Sequence, residues 1–103
     1  MKKEILTTIL ILMSAITAYS GNIKVSGTVK DSKGEVIPGV YVLDKQNRTN
    51  GTATDVTGKW ELNVPEEGFL EFSCLGYETL IEPVGGRKTI NVTLRSDVEK
   101  LDD

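Results

Sequence analysis

The 103-residue chain has no histidine, one cysteine and one tryptophan. Without histidine, neither a Ser-His-Asp nor a Cys-His arrangement can be assembled. One cysteine cannot close an internal disulfide, so Cys74 reads as a core thiol and the hydrophobic core must hold the domain. The formal charge is −3, which excludes the basic footprint of a nucleic-acid binder. Acidic residues do not cluster as in a calcium loop: Asp31 and Asp55 each stand alone in a turn. Glu66 and Glu67 are adjacent, but in a turn where solvation explains them. The expectation is therefore no catalytic residue, no cofactor site and no metal site.

Residues 1–20 carry an address rather than a fold. Lys2 and Lys3 precede an apolar run from Ile5 to Ile16, and Ala18-Tyr19-Ser20 supplies small residues at −3 and −1 of a cleavage site. This is the pattern of a secretory signal peptide, with the mature chain starting near Gly21. The run is shorter than the roughly 20 apolar residues of a membrane span, so no transmembrane segment is expected in the mature chain. Removing Lys2, Lys3 and Glu4 takes the charge from −3 to −4.

The rest is strand and turn. Trp60, Leu62 and Val64 alternate with Lys59, Glu61 and Asn63, placing three apolar side chains on one face. Asp55-Val56-Thr57-Gly58 precedes them as a turn, so Gly51 to Val64 reads as a hairpin with Trp60 as core anchor. Asp can bond its own backbone two residues on, and Gly tolerates positive φ. Asp31-Ser32-Lys33-Gly34 repeats that chemistry. Ile23 to Lys30 alternates too, with Gly27 on the inner face, which implies close approach by another group; Trp60 is the expected filler. Pro38-Gly39 forbids a central strand before Val40-Tyr41-Val42-Leu43, which is apolar on both faces. Asp44 to Asn50 reads as an exposed loop and Pro65 to Gly68 as a turn. Phe69 to Leu75 reads as a strand, Gly76-Tyr77 as a break, Glu78 to Val84 as an edge strand, Gly85-Gly86-Arg87 as a hairpin turn, and Thr89 to Arg95 as a last strand. Seven short strands with regular turn signals predict a seven-stranded antiparallel β-sandwich over 21–95, with an acidic tail or linker over 96–103.

Other motifs carry less. Tyr41, Tyr77 and Trp60 could together form a sugar platform, but Trp60 shares a face with Leu62 and Val64, which assigns it to the core. Tyr77 after Gly76 suits a tyrosine corner, its hydroxyl on a backbone carbonyl. Asn47, Asn50 and Asn91 each open a glycosylation triplet, a pattern common by chance.

Taken in order, the motifs are V-S-G-T-V-x-D-x-x-G from Val25, I-P-G-V-x-V from Ile37, N-G-T-x-T-D-x-x-G-x-W-x-L-x-V from Asn50, L-x-F-S from Leu70, L-G-Y from Leu75 and I-N-V-T-L from Ile90. The series resembles the carboxypeptidase-regulatory-like domain family, which has a transthyretin-like sandwich. More narrowly, it is similar to the N-terminal extension of SusC-type TonB-dependent outer-membrane transporters. The resemblance implies a non-enzymatic accessory domain of a nutrient-uptake system, with glycan as cargo. It also implies partners among TonB-system or transporter components, and a place at the periplasmic face of the outer membrane. The family often has an aromatic residue where Cys74 stands, and its transporters continue past an acidic L-D-E segment into a plug and barrel. Leu101-Asp102-Asp103 falls at about that point. The alternative is a stand-alone exported sandwich with a structural, adhesive or carbohydrate-binding role. The residues expected to matter are those of turns and core: Gly27, Asp31, Gly34, Pro38, Gly39, Gly51, Asp55, Gly58, Trp60, Gly76 and Tyr77.

Overall fold

A computed structural model describes residues 21–98; the signal-peptide reading and the end of the acidic tail lie outside the described residues. Seven strands form two sheets: β1 (Asn22–Asp31), β2 (Tyr41–Asp44), β3 (Asn47–Ala53), β4 (Lys59–Pro65), β5 (Phe69–Ser73), β6 (Leu80–Pro83) and β7 (Val92–Leu94). The first sheet runs β4-β1-β7 and the second β3-β2-β5-β6. Between them lies one core. Val25, Val29, Trp60, Leu62 and Val64 enter it from one side, and Val42, Leu70 and Phe72 from the other. Trp60 is 4% exposed and meets Phe72 edge-on, ring centroids 5.4 Å apart. That geometry sets the positive ring edge against a negative ring face.

Period-two alternation does what the sequence predicts in β1 and β4, where every second side chain is buried or half-buried. The ladder sets Gly27 opposite Trp60 and Val25 opposite Leu62. The sandwich is antiparallel except at one pair. Strand β7 runs parallel to β1, Val29 opposite Val92, because the chain leaving β6 crosses to the other sheet and enters it from the same end as β1. This last strand is shorter than the alternation of Thr89 to Arg95 predicts. Thr28 N–H donates to the Asn91 side-chain oxygen (2.9 Å) instead of continuing the backbone ladder.

Three local readings are corrected. First, Asp44 to Asn50 is not an exposed loop. Lys45-Gln46 alone turns, and β3 begins at Asn47. Asp44 is buried and accepts from Gln46 N–H at 3.0 Å, while Lys45 N–H donates to the Phe69 carbonyl at 2.9 Å. The polar composition that suggests a loop belongs to an edge strand with mostly exposed side chains. Second, Gly51 to Val64 is not a hairpin. Strands β3 and β4 lie in different sheets and pair with β2 and β1. Third, Gly85-Gly86-Arg87 turns the chain, with Arg87 N–H on the Val84 carbonyl at 3.0 Å, but joins strands of different sheets. In both crossings a buried residue at the turn, Thr54 or Val84, draws the chain through the core edge rather than back along its own strand.

Pairing also continues past Arg95. Glu78 N–H donates to the Arg95 carbonyl (2.8 Å), Ser96 bridges Tyr77, and Asp97 N–H donates to the Gly76 carbonyl (3.0 Å).

Candidate functional site

The residues singled out by sequence fall into two working groups and a remainder. The first group is a pair of near-identical loops. In each, an aspartate carbonyl accepts from the glycine N–H three residues on: Gly34 to Asp31 (3.0 Å) and Gly58 to Asp55 (2.9 Å). Each aspartate N–H donates to the carbonyl four residues on, Glu35 and Lys59. Each aspartate Oδ1 accepts from the backbone two and four residues on, Lys33 and Glu35 or Thr57 and Lys59, at 2.8–3.0 Å. Gly34 and Gly58 sit at φ +86° and +76°, where a Cβ would be strained. Each carboxylate thus satisfies backbone donors of its own loop and is occupied in holding it closed. The Thr57 hydroxyl adds a bond at 2.6 Å and, with the two backbone donors, holds the Asp55 carboxyl below its usual range. The second loop packs on the base of the first through Val29 N–H, which donates to the Gly58 carbonyl at 2.8 Å. A Cβ on Gly58 would lie 2.8 Å from that of Val36.

The second group surrounds the Pro38-Gly39 link, where a buried threonine overlooked by the sequence reading does most of the binding. Thr54 donates its hydroxyl to the Ile37 carbonyl (2.7 Å) and accepts from Val40 N–H (2.9 Å). Its backbone N–H meets the Val40 carbonyl, and its carbonyl accepts from Gly39 N–H. Thr54 is 6% exposed. Its hint in the sequence is slight: a threonine at the end of a polar strand, opposite a stretch that proline deprives of a donor.

Gly27 is required by close approach. A Cβ there would lie 1.7 Å from the Ile90 carbonyl oxygen and 3.1 Å from Trp60 Nε1, so backbone fills the space first and the indole second. Gly51 in β3 would press a Cβ to 2.3 Å from Leu43. Gly76, at φ +91°, and Tyr77 form the corner after β5, where Tyr77 N–H donates to the Cys74 carbonyl (3.1 Å) and the ring packs half-buried on the core. Cys74 also packs on the core, half-buried.

The structure does not bring the aromatic residues together as a platform. Trp60 points into the core from β4, whereas Tyr41 points outward from β2 and is 62% exposed. An open groove of about 580 Å³ runs over Ser26, Thr28, Lys59, Glu61 and Asn91, and Trp60, which also lines it, is buried. Among the described residues no three His, Cys, Asp or Glu side chains group as metal ligands, and no helix is long and apolar enough to cross a membrane. The best-formed ion pair is bidentate: Arg48 donates to both oxygens of Glu71 at 3.0 and 2.9 Å across β2. It lowers the Glu71 carboxyl and raises the Arg48 guanidinium relative to their ordinary values, chiefly through these bonds.

The model of the CarboxypepD_reg-like domain matches residues 25–103. TonB-dependent receptor P39 of Formosa agariphila is 37% identical over 98 residues, covering 92% of the chain and 9% of the receptor. TonB-dependent receptor SusC of Bacteroides thetaiotaomicron is 35% identical over 103 residues, covering all of the chain and 10% of the receptor. TonB-dependent receptor P3 of Formosa agariphila is 35% identical over 104 residues, covering 98% of the chain and 10% of the receptor. The match lies in the N-terminal region of these receptors, and the chain spans about a tenth of their length. With its two-sheet sandwich and ordered turn motifs, the chain belongs to the CarboxypepD_reg-like domain family.

Proposed function

We propose that this chain is a non-enzymatic N-terminal accessory domain of a SusC-like, TonB-dependent outer-membrane uptake system that imports glycans. It works at the periplasmic face of the outer membrane, among transporter and TonB-system components. The observation that carries this reading is the extent of the match: nearly the whole chain aligns with the N-terminal tenth of receptors about ten times its length. The side chains agree with it. The aspartates are used up in closing loops, and the tryptophan in filling the core. The carbohydrate-binding alternative has the open groove over Ser26 and Asn91 to support it, and the one aromatic residue lining that groove, Trp60, is buried.

Immunoblotting of fractionated source cells with an antibody to the sandwich tests the proposal. The antigen should sit in the outer membrane, either within a polypeptide about ten times the chain's mass or co-purifying with one. Recovery only as a free periplasmic protein, with no receptor bound, would overturn the accessory-domain reading.

A further inference from the structure

The two sheets differ in what they show to solvent. The outer face of β1 and β4 is polar, with Lys24, Ser26, Thr28, Lys59, Glu61 and Asn63. The outer face of the four-stranded sheet carries exposed apolar side chains on either side of one ion pair. Tyr41, Phe69 and Ile81 are 62%, 42% and 38% exposed there, Leu43 lies half-buried among them, and Ala53 and Pro83 extend the surface. By register, Tyr41 lies between Ala53 and Ser73 at one end of the face, Phe69 lies beside Pro83 at the other, and Ile81 lies beside Glu71 midway. The ion pair on this face, Arg48–Glu71, is closed on itself by two hydrogen bonds. Strand β2 has the two-sided apolar sequence of a strand covered on both faces, yet only its inner face is covered within the domain.

We infer that this face docks against the body of the receptor polypeptide to which the domain belongs, an inference that rests on the accessory-domain reading. Area argues against a second copy as occupant. Four strands about 4.8 Å apart and five residues at about 3.3 Å each give a face of roughly 300 Å². Two copies would bury on the order of 600 Å², against roughly 1,200–2,000 Å² for a stable untethered interface. A tethered partner needs less, because the linker supplies the effective concentration. The chain also leaves the sandwich at the right place. Ser96 and Asp97 are fastened to Tyr77 and Gly76, a few residues past Ser73, the neighbour of Tyr41. Chain continuing from there starts beside the Tyr41 end of the face.

Hydroxyl-radical footprinting tests this on the full 103-residue chain alone and on the receptor-borne form from the outer membrane. Oxidation of Tyr41 and Phe69 should fall several-fold in the receptor, while Val56, 85% exposed on the loop between the sheets, should react equally in both. Ile81→Lys, whose isolated chain should melt like the parent, should restore oxidation of Tyr41 and Phe69 in the receptor. Three results would overturn the docking: equal oxidation in both forms, protection that survives Ile81→Lys, or protection already present in an isolated chain that sediments as a dimer. Absence of any receptor-borne form would instead remove the accessory-domain reading itself, and immunoblotting shows that separately.

Discussion

Replacing Gly27 with alanine adds one methyl group where the fold has no room for it. The new Cβ would lie 1.7 Å from the Ile90 carbonyl oxygen and 2.6 Å from its carbon. The obstacle is backbone, so no rotamer change relieves it. To restore van der Waals distance, the segment Lys88–Ile90 must retreat by about 1.5 Å or more. Retreat breaks two bonds, Ser26 N–H to the Lys88 carbonyl (3.0 Å) and Ile90 N–H to the Ser26 carbonyl (2.8 Å), each worth about 1 kcal/mol net. It also loosens the packing of Ile90, now 1% exposed, at a further cost of about 1–2 kcal/mol. The sum is about 3–4 kcal/mol, a large part of the roughly 4–10 kcal/mol a domain of this size has. Urea melts should show it as a midpoint lowered by about 3–4 M at a slope near 1 kcal/mol/M. Gly34→Ala is the companion measurement. There φ is +86° but nothing lies within 4 Å of the new methyl, so torsional strain alone should cost about 1–2 kcal/mol. A loss below about 1 kcal/mol for Gly27→Ala, or one no larger than that of Gly34→Ala, would refute the claim that backbone approach demands glycine at 27.

Trp60→Ala should cost about 3–5 kcal/mol in the same melts, because it empties the largest aromatic site of the core; a loss under about 1 kcal/mol would mean that the indole is not a core anchor. Thr54→Val should cost about 2–4 kcal/mol by leaving buried Val40 N–H without its acceptor, whereas Thr54→Ser should recover most of the loss. Acid should destabilise the fold through Asp55 and Glu71. Both carboxyls are lowered in the folded state, so their stabilisation is complete well above the ordinary carboxylate range and is lost as pH falls through their folded values. Thermal melts should be flat near neutrality and fall below about pH 4–5, and Asp55→Asn, which keeps an Oδ1 acceptor but does not titrate, should flatten that fall. An unchanged acid profile in this variant would count against the aspartate loop as its source.

What the sequence made legible was local. Asp31 to Gly34 and Asp55 to Gly58 form the loops their residues predict, because the carboxylate, the donors it satisfies and the glycine all lie within five positions. The inward faces of β1 and β4 were legible for the same reason, since alternation needs no knowledge of the partner strand. Trp60 was placed in the core by two neighbours on its own strand. Thr54 was not legible, because its hydroxyl serves Ile37 and Val40, and nothing near position 54 announces them.

Turn chemistry closes a loop without choosing which strands flank it as a pair. The Asp55–Gly58 loop would be equally satisfied at the tip of a hairpin, yet it joins β3 to β4 across the sandwich. The choice is made elsewhere. Gly27, set opposite Trp60, lets β1 accept β4 on one side while the Ile90 carbonyl presses in on the other. Asp44 instead closes the turn from β2 into β3, and Thr54 fastens the end of β3 to the approach to β2. Asn50, whose side chain donates to the Asn63 carbonyl at 2.7 Å, spans the seam that a hairpin would have filled with backbone bonds. The same division explains the outer face of β2. Alternation shows that Tyr41 and Leu43 point away from Val42, but whether anything covers them depends on surfaces beyond the domain. In this chain the turns are written locally, the sheet partners are settled by close approach at a few glycines and buried polar residues, and the apolar face left over is where the fold's account of its own sequence stops.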